Sequence, residues 1–86
     1  MSDPEYAAAY LEECLAYNDP SMFLRALREV VQAQTNMSNM ARHLKASRPQ
    51  LYASLSEKGN PEFKTLVGVL NSLGLRLSVA PLNKTA

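Results

Sequence analysis

Three prolines, each directly preceded by a residue that favours helix starts, constrain the fold of this sequence more than any other feature. The pairs are Asp3-Pro4, Asp19-Pro20 and Asn60-Pro61. Asp and Asn side chains accept hydrogen bonds from the free N–H groups of a first helical turn. Proline at the next position loses nothing, because that N–H has no helical partner. We therefore expect three helices to begin at these pairs.

Apolar residues at helical spacing follow each of these starts and predict helices over residues 4–17, 20–34 and 61–73. The predicted buried faces are Ala7, Tyr10, Leu11, Cys14 and Leu15 in the first helix, Phe23, Leu27, Val30, Val31 and Gln34 in the second, and Phe63, Leu66, Val67, Leu70 and Leu73 in the last. Gly74 follows as a stop that can take positive φ. A chain of 86 residues has room for one domain, residues 1–86, which we expect to be all-α.

Two shorter helices are predicted between the second and the last. Ser38 can cap a helix that runs through Lys45, and a tight connection follows. Ser47 opens the next helix, because Ser47 and Gln50 have the spacing of a capping box. This helix should end near Ser56, which brings the number of predicted helices to five.

The two short helices and their connection, residues 37–55, have the spacing of a helix-turn-helix. Small Ala41 suits a close approach of two crossing helices. Inward-facing apolar side chains are expected at Met40, Leu44, Leu51 and Leu55. In such a unit the second helix protrudes and reads DNA. The major groove is about 12 Å wide, which is enough for one α-helix.

The C-terminal residues 75–79 alternate apolar and polar side chains, which predicts a short β-strand. A lone strand leaves its backbone groups unpaired. Pairing with the same strand of a second copy across a two-fold axis would solve this, with Leu75, Leu77 and Val79 as dimer contacts. The alternative is an extended tail that packs Leu75 and Leu77 on its own domain. Residues 83–86 are expected to be disordered.

Charge is divided unevenly along the chain, although the formal net charge is only +1. Residues 1–34 carry six acids and two bases, a net −4, whereas residues 35–86 carry seven bases and two acids, a net +5. The basic half suits a polyanion and the acidic half a basic partner. Two ordinary solvated surfaces would produce the same asymmetry.

Several function classes find no support in the sequence. Cys14 is the only cysteine, so no intramolecular disulfide forms, and His43 is the only histidine, with no second metal ligand at suitable spacing. No paired carboxylates, nucleophile pattern or glycine-rich phosphate loop is present. No run is apolar enough to span a membrane, and the start does not resemble a signal peptide. We expect a cytoplasmic protein that is not an enzyme and needs no cofactor or metal.

A family resemblance rests on residues spread over nearly the whole chain. The segment MSNMARHLKASRPQLYASL, residues 37–55, resembles the helix-turn-helix of Cro/cI-type repressors, although a glycine commonly stands where this chain has Lys45. The wider sequence is similar to HigA-like addiction module antidotes, a family of bacterial antitoxins. That similarity lies in Tyr10-Leu11, Asp19-Pro20, Met37-Ser38, Met40-Ala41-Arg42, Ser47-Arg48, Leu51-Tyr52, Leu55-Ser56, Gly59-Asn60-Pro61 and the ending LGLRLSV at residues 73–79.

The resemblance implies a five-helix repressor-like domain that binds its own operator, double-stranded DNA, as a homodimer. It also implies a co-encoded toxin that the protein neutralises, usually a small basic ribonuclease related to HigB and RelE. The acidic first helix, with Glu5, Glu12 and Glu13, is then a candidate docking surface for a basic toxin. The alternatives are a helical protein-interaction module that does not bind DNA, and a stand-alone transcriptional regulator without a toxin partner.

Arg48 and Tyr52 are the principal candidates for contact with DNA. Arg48 stands at the start of the reading helix, where arginine can bond bidentately to guanine, or it contacts a phosphate instead. Tyr52 faces outward to the sugar-phosphate backbone or a thymine methyl, or is partly buried against the domain. The remaining expected DNA contacts are Asn39, Ser47, Gln50, Ala53, Lys58 and Asn60.

Overall fold

Five helices form the regular structure of the part of the chain that the computed structural model describes, residues 3–56 and 58–82. They are α1 (Pro4–Ala16), α2 (Pro20–Gln34), α3 (Met37–His43), α4 (Arg48–Ser54) and α5 (Phe63–Ser72). For these residues, the prediction of an all-helical fold with five helices is confirmed. The prediction for residues 83–86 lies outside the described residues. Within those residues, no helix is long and apolar enough to cross a membrane.

The first two helices begin where the Asp-Pro pairs predict. The Asp3 carboxylate accepts a hydrogen bond from the Glu5 N–H at 3.0 Å, and the Asp19 carboxylate accepts one from the Ser21 N–H at 3.1 Å. Each proline is the first residue of its helix. These caps fix the starts of α1 and α2 because they satisfy N–H groups that have no partner within the helix.

Two predicted helix starts are wrong. Helix α3 is capped by Asn36 instead of Ser38, because the Asn36 side chain accepts a hydrogen bond from the Asn39 N–H at 2.8 Å. Helix α5 begins at Phe63, two residues after the Asn60-Pro61 pair, with Glu62 at the cap position. Proline restricts the preceding residue to extended backbone, which suits a loop as well as a cap.

The core is built around α2, which packs on α1 along one side and on α3 along another, while α3 packs on α4. The largest fully buried side chains come from α2, from α4 with the residue that follows it, and from α5. They are Leu27, Val30, Val31, Leu51, Leu55 and Val69. No charged or polar residue of the described chain is fully buried. Burial of apolar surface is therefore the main force holding the helices together.

Not every residue of the predicted apolar faces is buried. Leu15 is 52% exposed and Phe63 is 70% exposed, whereas Val69, absent from the predicted face of α5, is fully buried. Helical spacing gives the direction of a side chain, but it does not say whether another element extends far enough to cover it. Phe63 is the first residue of its helix and remains largely uncovered.

The predicted C-terminal strand is not seen, because residues 75–80 have no regular secondary structure. A strand needs a neighbouring strand for its backbone hydrogen bonds, and the described part of the chain contains none. Leu75 is half-buried against the core, as the alternative of a packed tail predicts. Leu77 and Val79 are 42% and 94% exposed, so most of the tail leaves its apolar side chains in solvent.

Helix α5 ends as the sequence predicts, at a glycine in the left-handed region. Gly74 has φ +83°. Its N–H donates to the Asn71 carbonyl at 3.1 Å, and the Leu75 N–H donates to the Leu70 carbonyl at 2.8 Å. This pair of bonds is the Schellman motif. It directs the C-terminal segment back along the core toward the start of α1, so that Pro4 lies beside Gly74.

Candidate nucleic-acid interface

A tight turn with one left-handed residue joins α3 to α4. Lys45 has φ +57°, a conformation that glycine adopts without cost and other residues rarely take. Its N–H donates to the Arg42 carbonyl at 3.1 Å, and the Ala46 N–H donates to the Ala41 carbonyl at 2.9 Å. The turn is thus a second Schellman motif, and Lys45 stands where the resemblance to Cro/cI-type repressors implies glycine.

Helix α4 begins at Arg48, directly after the predicted cap. The Ser47 hydroxyl oxygen accepts a hydrogen bond from the Gln50 N–H at 3.1 Å. Pro49 fits in the first turn because its missing N–H would have no helical partner. On the inner side Leu51 and Leu55 are 2% and 0% exposed. The helix is therefore anchored along one side and free along the other.

The exposed side of α4 carries four predicted DNA contacts, Arg48, Gln50, Tyr52 and Ala53, which we call the α4 face. Successive residues are about 100° apart around a helix. Arg48 and Tyr52 consequently lie one above the other on one flank, and Gln50 lies on the opposite flank. Ala53 is between the flanks and is small enough to allow close approach of a ligand. The α4 face is a ridge with one basic and one aromatic side chain along its edge.

Arg28 of α2 holds the Tyr52 ring on this ridge. The Arg28 guanidinium carbon lies 5.6 Å from the centre of the Tyr52 ring, within the range of a cation–π contact. Tyr52 is 43% exposed, so one part of the ring packs on the domain and another part faces solvent. Arg28 was not among the predicted site residues, because helical spacing within α2 does not reveal a contact with α4.

Asn39, predicted as a DNA contact, has its side chain held by two neighbouring residues. Its side-chain oxygen accepts a hydrogen bond from the Arg42 guanidinium at 2.7 Å, and its side-chain nitrogen donates to the Thr35 hydroxyl at 3.3 Å. Arg42 is exposed and was not predicted as a site residue. Its position three residues after Asn39 on one helix is a spacing at which side chains meet, and it places a positive charge beside Asn39.

A groove between α4 and the start of α5 brings two other predicted residues together. The groove has a volume of about 600 Å³, and Gln50 and Asn60 both line it. Lys45 and Lys64 also line it, as does one carboxylate, Glu62. Sequence reasoning missed both lysines, which become neighbours only through the packing of α5 beside the turn. Lys58, the remaining predicted contact, is exposed in the loop after α4 and does not line this groove.

The three glutamates predicted to contact a toxin do not all line one groove. Glu5, Glu12 and Glu13 are all exposed on α1. Glu5 and Glu12 line an apolar groove between α1 and the C-terminal segment, whereas Glu13 is not part of its lining. Among residues 3–56 and 58–82, no group of three or more His, Cys, Asp and Glu side chains could hold a metal ion.

These features define a small helical protein with an exposed, basic short helix anchored behind a tight turn. Residues 1–81 match a family model described as "Probable addiction module antidote protein". The chain is also 37% identical over 79 residues to an uncharacterized protein of Haemophilus influenzae, an alignment that covers 92% of this chain and 80% of that protein. The chain belongs to this family of probable addiction module antidote proteins. No solved structure matches the chain.

Proposed function

We propose that this protein is the antitoxin of a type II toxin–antitoxin module and that it represses its own operon by binding operator DNA as a homodimer. Membership of the antidote family supports the antitoxin role. An antidote requires a toxin, and we propose that this partner is a co-encoded protein of the ribonuclease type. Neither role needs catalysis by this chain, so we propose that it is not an enzyme and that it acts in the cytoplasm, where its operator lies.

The observation that carries the DNA-binding part is the combination of anchoring and exposure in α4. Leu51 and Leu55 are buried, while Arg48 and Tyr52 on the same helix face solvent. This arrangement supports a Cro/cI-type reading unit, in which a short helix and a turn present a single helix to DNA. We therefore propose that the α4 face enters the major groove of duplex DNA.

Within that proposal the residues divide into those that read bases and those that hold the phosphate backbone. Arg48 is the base-reading residue, because its guanidinium can bond bidentately to guanine O6 and N7. Ser47 is occupied as the helix cap. Exposed basic residues of α3, of the turn after it, of the loop after α4 and of α5 hold the backbone. They are Arg42, Lys45, Lys58 and Lys64.

The homodimer is proposed from the C-terminal segment. Val79 and Leu82 expose large apolar side chains near the end of the described chain, outside regular secondary structure. Contact between two such segments across a two-fold axis would cover these side chains and would place two α4 faces on one operator. Dimerisation would also enlarge the small core of an 86-residue chain.

A mobility-shift experiment with the DNA upstream of the protein's own gene tests the DNA-binding proposal. A shifted band is expected at low salt. Affinity should fall steeply as salt rises, because each phosphate contact releases bound counterions. No shift at low salt would contradict the proposal and favour a helical module that binds only protein.

A further inference from the structure

A second surface lies on the side of α1 that faces the C-terminal segment. It is a groove of about 440 Å³, which we call the α1 groove. One wall is the face of α1 that carries Glu5, Ala8, Glu12 and Leu15, residues spaced three or four apart and therefore on one side of the helix. The other wall is residues 75–78, with Arg76 among them. Pro4 and Gly74 meet at one end.

The interior of the α1 groove is apolar. The α1 wall beside it carries the carboxylates of Glu5 and Glu12. Leu11, Phe23 and Leu70 contribute to the lining. Leu15 is 52% exposed and Leu77 is 42% exposed, one on each wall, so large apolar side chains on both sides face solvent. When an apolar side chain of another molecule covers a surface of this kind, the burial of apolar area stabilises the complex.

Building on the proposed antitoxin function, we propose that the α1 groove binds a segment of the cognate toxin that combines apolar and basic side chains. Apolar side chains of that segment fill the space between Leu15 and Leu77, and a Lys or Arg pairs with Glu12 and Glu5. The chemistry of the wall selects the partner, because two carboxylates on α1 favour a basic chain. The single cation, Arg76, stands on the opposite wall.

A second copy of this chain is the competing occupant. The position of the C-terminal segment argues against it, because residues 75–78 of each copy already form a wall of that copy's own groove, with Leu75 packed against the core. The apolar side chains of Val79 and Leu82 are 94% and 103% exposed and do not line the α1 groove. They remain available for contact between copies while the toxin occupies the groove.

Adjacent glutamates on α1 provide a matched test. Glu12 lines the groove and Glu13 does not, yet both are exposed on the same helix. Glu12→Lys and Glu13→Lys therefore make the same change in net charge. Leu15→Ala removes an apolar side chain from the groove, and Met22→Ala, on an exposed methionine of α2 that does not line it, is the control for that change.

The measurement is the affinity of the full-length variants for the purified product of the adjoining reading frame, by calorimetry, with sedimentation equilibrium on the same samples. Glu12→Lys and Leu15→Ala are expected to weaken binding by about tenfold or more. Glu12→Lys reverses a charge pair with the toxin, and Leu15→Ala removes an apolar contact. Glu13→Lys and Met22→Ala should leave the affinity within about twofold.

If the wild type and all four variants bound the toxin with equal affinity, the α1 groove would be overturned as the toxin site, while the antitoxin function would stay in place. Failure of the wild-type protein to bind that product would overturn the proposed antitoxin function and the groove assignment together. A change in oligomeric state caused by Glu12→Lys or Leu15→Ala, with toxin affinity unchanged, would assign the groove to a second copy and also overturn the proposal.

Discussion

At the scale of single residues, one hydrogen bond between α1 and α2 shifts the pKa of a tyrosine. The Tyr10 hydroxyl donates to a Glu29 carboxylate oxygen at 2.6 Å. This bond, reinforced by desolvation and by the negative charge of Glu29, raises the pKa of Tyr10 from 10.0 to about 12. The neutral tyrosine is favoured because ionisation would place a phenolate against a carboxylate.

A stability change with pH follows from this pKa shift. The folded protein keeps the Tyr10 proton at pH values where the unfolded chain has lost it. The resulting stabilisation is complete below about pH 10 and is lost between about pH 10 and 12, as the pH passes through the two pKa values. Glu29→Gln should lower the pKa of Tyr10, because it removes the charge and keeps an acceptor for the hydroxyl. NMR titration of the Tyr10 ring measures this directly, and an unchanged pKa in the variant would contradict the account.

The residue scale also shows what a single sequence can and cannot reveal. Ser47, Asp3 and Asp19 act as caps because a cap depends on neighbours two or three positions away. The contact of Arg28 with Tyr52 and the pairing of Tyr10 with Glu29 join residues far apart in the chain. Local spacing does not predict them, since they arise from the way α2 packs on its neighbours.

At the scale of elements, the turn between α3 and α4 depends on a lysine in a conformation that suits glycine. Lys45→Gly should raise the free energy of unfolding by up to about 1 kcal/mol, because glycine has no Cβ to clash with the backbone in the left-handed conformation of this residue. Lys45→Ala removes the same charge and keeps the Cβ, so it should bring no such gain. Chemical denaturation of both variants measures the difference. Equal stabilities of the two variants would contradict a strained turn.

The loop after α4 contains the second element-scale constraint, at Gly59. A Cβ at this position would overlap the backbone carbonyl oxygens of Ser54 and Ala53 at the end of α4. Gly59→Ala should therefore destabilise the protein by about 1–3 kcal/mol, since backbone atoms must move to relieve the overlap. Thermal unfolding measures this loss. Ala53→Gly is the comparison variant. It should lower the free energy of unfolding by about 1 kcal/mol, through the loss of helix propensity at the end of α4 alone. A Gly59→Ala protein as stable as the wild type would refute the close approach.

The sequence predicts which segments form helices, but it predicts only partly which of their side chains are buried. The five helices follow from capping residues and apolar spacing, both of which are local. The exposure of Phe63 and the burial of Val69 depend on where neighbouring helices end, which no single helix encodes. The C-terminal alternation predicted a strand, yet a strand forms only beside another, and the described chain offers none.

At the scale of the whole molecule, two surfaces with opposite chemistry lie on different elements. The α4 face has basic residues beside it, and the α1 groove has Glu5 and Glu12 along one wall. The asymmetry of charge between residues 1–34 and 35–86 was visible in the sequence. Adjacent Glu12 and Glu13 point about 100° apart around a helix, as the sequence already implies. The groove that Glu12 lines was not visible in the sequence, because it forms only where the C-terminal segment packs on α1.

The central claim is that the exposed side of α4 reads duplex DNA through Arg48. Equilibrium binding of Arg48→Ala to the operator, and to operators changed at single positions, tests it most directly. Arg25→Ala is the matched control, because Arg25 acts on Tyr10 on the α1 side of the protein and its removal lowers net charge equally.

Arg48→Ala should cost about 1–3 kcal/mol on the operator and should abolish the preference for one base in each half-site, while Arg25→Ala keeps that preference. An Arg48→Ala protein that binds the operator as tightly and as selectively as the wild type would contradict the claim.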